Sequence, residues 1–220
     1  MEIYFTISTV AEIICFLTGV ICLYKDSEAS WKLLCFYLLL VCSIEMTGMH
    51  MWKVLHKQNS LLYNFLLVFE NLMVSYFFFY LFKAYKNRLN WLIIWLVTFS
   101  ISFTSEMIYN HMNSFAFKTV IAMSVVFVIA SLYFYYLILK DEQFRRLSHY
   151  APFWWVNGVL FFYFGSTACN VLFDYVLTDT TNITGTIRYY IINILNIILY
   201  SCWSYAFLCR YRLRMSQHSS

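Results

Sequence analysis

The chain has 220 residues, of which 62% are hydrophobic and 12% charged, and it carries a net charge of +4 at neutral pH. Apolar stretches this continuous leave no folded soluble basic surface, so the positive balance does not signal nucleic-acid binding. They also exclude strands, because the apolar residues do not alternate and backbone facing lipid must bond within its own segment.

Seven apolar runs follow one another at residues 3–24, 31–52, 60–82, 91–109, 116–139, 151–176 and 187–209. A bilayer core of about 30 Å needs about 20 helical residues, so each run is long enough to cross it. The expected fold is all-α: a polytopic membrane protein forming one seven-transmembrane-helix bundle over residues 1–220, with no soluble domain. The first run lacks a basic n-region and a small-residue cleavage site, so it reads as a retained span rather than a removed signal peptide. Pro152, the only proline, falls in the first turn of span six, where its missing N–H is not needed.

Charge sets the expected orientation. With the N-terminus outside, the inner side holds Lys25, Lys32, Lys83, Lys86, Arg88, Lys140, Arg145, Arg146, Arg210, Arg212 and Arg214, which is 11 of the 15 cations. Lys53, Lys57, Lys118 and Arg188 stay outside, a split that follows the enrichment of cytoplasmic loops in Lys and Arg and places the C-terminus in the cytoplasm. Trp31, Trp91, Trp154 and Trp155 are expected at the inner boundary and Trp52 at the outer one, where an indole N–H stays wet. The cysteines, Cys15, Cys22, Cys35, Cys42, Cys169, Cys202 and Cys209, all fall within spans without paired spacing and read as small packing residues. Asn182-Ile183-Thr184 matches a glycosylation sequon. After span seven about 11 residues remain, so any inward signal is expected to pass to a separate chain through helix ends, the loop bearing Arg145 and Arg146, or the basic tail.

Polar groups at membrane depth are costly and are either paired or functional. Glu12, Glu45, Glu70, Glu106 and Asp174 lie on spans one, two, three, four and six, in the middle or outer half, and the span centres carry no Lys or Arg. The carboxylates must be protonated, hydrogen-bonded, cation-bound or facing water. Ser166, Asn170 and Asp174 recur every four residues and share a face of span six. Asn193, Asn196 and Tyr200 form a similar stripe on span seven, and Asn71, next to Glu70, shares a face with Ser75. Interhelical hydrogen bonding explains such residues as readily as a site does. The expected ligand-binding set is Glu45, Glu70, Glu12, Asn71, Asn170, Asp174, Asn193 and Asn196, around an outward-facing pocket.

Residues 45–51 and 106–112 share the pattern Glu-Met-x-x-x-His-Met. Met46 with His50, and Met107 with His111, are four apart, so each pair faces one direction, in a combination that suits a soft metal. Hairpin duplication and coincidence are the other readings, and no metal site is assigned. The last span contains no lysine for a retinal Schiff base, and spans six and seven contain no His for a zinc hydrolase of the ceramidase type. Pro-Gln hinges of three-helix-repeat carriers are missing too, and no spacing supports a Ser-His-Asp or Cys-His centre. The expectation is a non-enzymatic protein that needs no cofactor.

Glu45, Tyr63-Asn64 with Glu70, Tyr135-Tyr136-Leu137-Ile138-Leu139-Lys140, Pro152-Phe153-Trp154-Trp155-Val156-Asn157-Gly158 and Tyr163-Phe164-Gly165 together carry a resemblance. In these segments the chain resembles a group of small bacterial seven-helix membrane proteins, themselves similar to the seven-helix input regions of sensor histidine kinases but detached from a kinase domain. The resemblance implies a signalling input or accessory module in the bacterial cytoplasmic membrane. Its implied partners are the lipid bilayer, a separate cytoplasmic histidine kinase or other signalling protein, and a second copy of the chain as a homo-oligomer. The alternative reading is a proton or cation transporter using the same carboxylates. The shortage of Gly and Pro interruptions in the spans counts against it.

Overall fold

The computed structural model describes residues 6–85, 89–141, 146–172 and 182–218. They form seven α-helices: α1 (Ile7–Leu23), α2 (Ala29–Lys53), α3 (Ser60–Lys83), α4 (Leu89–Tyr109), α5 (Phe117–Lys140), α6 (Ala151–Val171) and α7 (Asn182–His218). One 3-10 turn, Leu147–His149, precedes α6, and no strand occurs among the described residues. Helices α2, α3, α4, α5 and the Thr186–Ser216 stretch of α7 are long and apolar enough to cross a membrane. The chain is a helical integral membrane protein. Helix α1 is apolar but has 17 residues, and α6 is diluted by Asn157, Asn170 and two glycines.

The largest departure from the expected boundaries is α7. It has 37 residues instead of the expected run at 187–209, and at 1.5 Å per residue it is about 55 Å long against a bilayer core of about 30 Å. The basic segment Arg210 to Arg214, expected as a tail, is helical. Asp174 and the end of predicted span six lie outside the described residues, as do Lys86, Arg88 and Arg145; of the sequon, the backbone is helical and the side chains lie outside the description.

The chain divides into two compact units, one of residues 1–6 and 27–123 and the other of residues 7–26 and 124–220. In the first, α2 and α3 are antiparallel. Trp31 meets Phe77 edge to face, with ring centroids 4.9 Å apart, and fourteen residues along each helix Tyr63 meets Glu45. Ser30 and Tyr76 share a hydrogen bond of 3.1 Å in the same register. Gly48 makes room for this: a Cβ there would lie 2.9 Å from the Tyr63 hydroxyl. Helix α3 turns a second, polar face, Asn64, Asn71 and Ser75, toward α4.

In the second unit, α6 and α7 pack antiparallel and closely because α6 offers glycines seven residues apart. A Cβ on Gly158 would sit 3.1 Å from Cys202 Cβ, Leu199 O and Trp203 Cδ1, and one on Gly165 would sit 2.6 Å from Leu195 Cδ2. Small residues permit such backbone approach where lipid offers helices no hydrophobic incentive to associate. Helix α5 joins through Phe127 against Tyr163 and through Tyr135, whose hydroxyl donates to Asn157 Oδ1 at 2.6 Å.

Helix α1 runs parallel to α7. Glu12 accepts from Tyr200, and further along both helices Arg214 donates to the Cys22 carbonyl and Arg210 to Asp26. Glu12, Cys15, Gly19, Cys22 and Asp26 recur at alternating intervals of three and four, and all are buried. Tyr200, Trp203, Phe207, Arg210 and Arg214 repeat the same intervals on α7, the spacing of a helix–helix seam.

Two indoles expected at the membrane boundary are core residues instead. Trp155 is fully buried and stacks on Trp203 with centroids 5.7 Å apart, and Trp31 is buried on Phe77. Near-boundary position does not decide which way a helix face points; Trp155 lies on the face of α6 that meets Trp203 of α7. Trp91 and Trp52 are exposed, and Trp154 donates to Ser148 O at 3.1 Å. Cys15, Cys22, Cys42, Cys169 and Cys209 are buried, matching a packing role.

Candidate functional site

The polar residues of the first unit sort onto the two faces of α3. Toward α2 lie Tyr63, Leu67, Glu70, Val74 and Phe77, spaced by four and three residues. Tyr63 Oη donates to Glu45 Oε2 at 3.1 Å. Glu70 falls seven residues from Tyr63 and seven from Phe77, so the register sets it opposite Leu38, about 10 Å along the seam from the Glu45–Tyr63 bond. Both carboxylates are half-buried and share one seam without touching.

Toward α4, polar groups recur on α3 from Asn64 to Ser75. Trp95 Nε1 donates to Asn71 Oδ1 and Ser75 Oγ, both at 3.0 Å, and the Ser75 hydroxyl donates to Asn71 Oδ1 at 3.4 Å. These bonds orient the Asn71 amide: the oxygen faces two donors, so the nitrogen faces the other way. Asn71 has no exposed surface, and its Nδ2 has no hydrogen-bond partner. A buried donor left unmade costs about 1–3 kcal/mol.

Nearer the α4–α5 connection, Asn64 Nδ2 donates to Ser114 O at 3.0 Å and to Met107 Sδ at 3.3 Å, while its Oδ1 accepts from Ala116 N at 3.0 Å. Glu106 accepts from the backbone N–H groups of Lys118 (2.9 Å) and Thr119 (2.7 Å) and from the Thr119 hydroxyl (2.6 Å). Those amides belong to the first turn of α5, which has no intrahelical acceptor, and the carboxylate also suits the positive end of the helix dipole. Glu106 is therefore a cap. Among the described residues no three His, Cys, Asp or Glu side chains gather closely enough to hold a metal ion.

The remaining predicted residues belong to the second unit. Glu12 is buried and accepts from Tyr200 at 2.9 Å. Asn170 accepts from Arg188 Nη2 at 2.8 Å, so a cation meets the polar stripe of α6. Ser166 donates to the Tyr163 carbonyl, and Asn193 to the Tyr189 carbonyl of its own helix. Asn196 is half-buried on α7, and Asp174 lies outside the described residues. Of the eight predicted residues, Glu45, Glu70 and Asn71 fall in the first unit, on α2 and α3.

Two features escaped the sequence reading. Asn64 entered it only through the resemblance, although its seven-residue spacing to Asn71 was a signal that both share a face. Asp26 did not enter it, yet it takes Arg210 Nε at 2.9 Å and Nη2 at 3.1 Å on its two oxygens, and Arg214 Nη1 approaches to 3.9 Å. The four-residue spacing of Arg210 and Arg214 was its only trace in the sequence.

No family model, curated protein or solved structure matches the chain.

Proposed function

We propose that this protein is a non-enzymatic membrane sensor or signalling accessory module of seven spans, N-terminus outside and C-terminus cytoplasmic, in a bacterial cytoplasmic membrane. A small polar ligand that carries a hydrogen-bond acceptor for the Asn71 amide and a donor or cationic group for Glu45 and Glu70 enters from the outer side and biases the packing of α2, α3 and α4. A separate cytoplasmic partner, such as a histidine kinase, reads the result. The observation that carries this reading is the Asn71 N–H, buried and without an acceptor on the helix that also carries Glu70. A fold retains an unsatisfied buried donor at a cost, and a ligand acceptor would remove it. The parallel course of α1 and α7 supports an odd number of crossings, since two parallel spans enter and leave on the same sides.

Cysteines placed at Ser60 and Ser216 should label from opposite sides of the membrane; labelling from one side removes the seven-span topology. For the site, thermal unfolding of the purified chain against a panel of small amino alcohols, amino acids and amides, each with an acceptor oxygen, should find a compound that stabilises the native protein and leaves Glu70→Leu and Asn71→Leu unmoved. A ligand that stabilises all three equally refutes the site. The two carboxylates on one seam favour a second reading, proton or cation transport. Proteoliposomes should show no proton or sodium flux sensitive to Glu45→Gln or Glu70→Gln, and a flux abolished by both would replace the sensor reading.

A further inference from the structure

We infer that Asp26, Arg210 and Arg214 form a latch that holds the end of α7 against the end of α1, and that its opening releases the last turns of α7. Asp26 lies three residues past the end of α1, its backbone N–H bonded to Leu23 O at 3.0 Å. Its side chain is 1% exposed, whereas that of Arg210 is 28% exposed. The two oxygens receive the guanidinium through two nearly parallel bonds, the geometry that gives an arginine–carboxylate pair its strength and direction. Arg214, one turn on, donates to the Cys22 carbonyl at 3.2 Å and brings a second positive charge to the same carboxylate. That carbonyl belongs to the last turn of α1, where carbonyls lack intrahelical donors and a cation suits the negative end of the helix dipole.

The pairing is built to open at one end only. Cys209 is the last buried residue described on α7; Tyr211, Arg212, Leu213, Met215 and Ser216 are exposed, and Arg210 and Arg214 reach back to α1. Between Tyr200 and Arg210 the α7 side of the seam is closely packed through the buried Trp203 and Phe207, so that part of α7 is anchored and its extension is held by charge. A buried ion pair adds little net stability over an apolar one, but losing one partner strands the other charge, which makes two discrete states. The Glu12–Tyr200 bond lies fourteen residues before Asp26 in the chain and ten before Arg210 on α7, about 15 Å along that helix. A shift of α1 against α7 at that level therefore changes the register at the latch. The role of the released segment as the signal's exit rests on the sensor reading above; the latch rests on the geometry alone.

The test uses the full chain in detergent micelles, with trypsin cleavage after Arg212 and maleimide modification of Cys22 as the sole cysteine. Arg210→Gln should raise both rates about tenfold or more, because the extension frays once its charge clamp is gone, and Arg210→Lys should fall between Arg210→Gln and the native rate. Asp26→Asn should reproduce Arg210→Gln wherever it is expressed as a monodisperse protein. Rates within about twofold of native in Arg210→Gln overturn the latch. Both rates are read without any added ligand, so a failed ligand screen and a failed latch give different results.

Discussion

Residues 45–51 and 106–112 have the same Glu-Met-x-x-x-His-Met pattern, and the fold uses them in opposite ways. The first copy stays inside α2, which continues to Lys53, and its glutamate meets one phenol on the neighbouring helix. The second copy ends α4 at Tyr109; His111 and Met112 take φ of 49° and 59°, and the glutamate turns back to cap α5 with three bonds. His50 and His111 are exposed, Met46 is exposed and Met107 is buried against Asn64. A repeated string is thus no guarantee of a repeated site. What differs is the following chain: Gly48 lets Tyr63 approach the first copy, and Asn64 pulls the connection after the second into a turn through Ser114 and Ala116.

The contrast can be broken by mutation. Glu106→Ala should cost about 2 kcal/mol or more in reversible unfolding in mixed micelles, because it strands two backbone donors and a hydroxyl at the start of α5. A loss no larger than that of Glu45→Ala would mean that the two carboxylates are equivalent after all. Gly48→Ala should cost about 1 to 2 kcal/mol, since the new methyl meets the Tyr63 ring and must push it from Glu45. Tyr63→Phe tests the same bond without crowding and should cost about 1 kcal/mol; together with Gly48→Ala it should cost less than the two losses added, as both act on one contact. The smallest effect is the sharpest discriminator. His50→Gly should destabilise by about 0.5 kcal/mol, the difference in helix propensity between the two residues, while His111→Gly should be close to neutral because its backbone is already left-handed. Equal responses would show that both copies share one conformation.

How far the sequence reaches can be judged from particular residues. The helix boundaries of α2, α3, α4 and α5 were legible to within a few residues, because an apolar run signals its own length. The Asn71–Ser75 pairing was legible for the same local reason, being one turn of one helix. The α7 extension was not, since Arg210 to Ser216 are too polar to read as a span and the carboxylate that Arg210 meets lies 184 residues away. Trp155 and Trp31 were read as boundary anchors because depth along a helix is visible in sequence and the direction a side chain faces is not. The expected gathering of carboxylates went further than periodicity allows: Glu45 and Glu70 share a seam in one unit, while Glu12 bonds within the other.

By itself the sequence determined that this chain is helical and resides in lipid, because transfer of apolar surface into hydrocarbon adds up residue by residue and needs no knowledge of what lies beside it. Only the tertiary structure decided which acid meets which donor: Glu45 with Tyr63 across one turn of chain, Glu106 with the start of α5, and Asp26 with an arginine 184 residues away. A hydrogen bond depends on an approach within about 3 Å between groups the chain must first bring together, and that approach is set by packing at positions such as Gly48 and Gly158 rather than by the polar residues themselves.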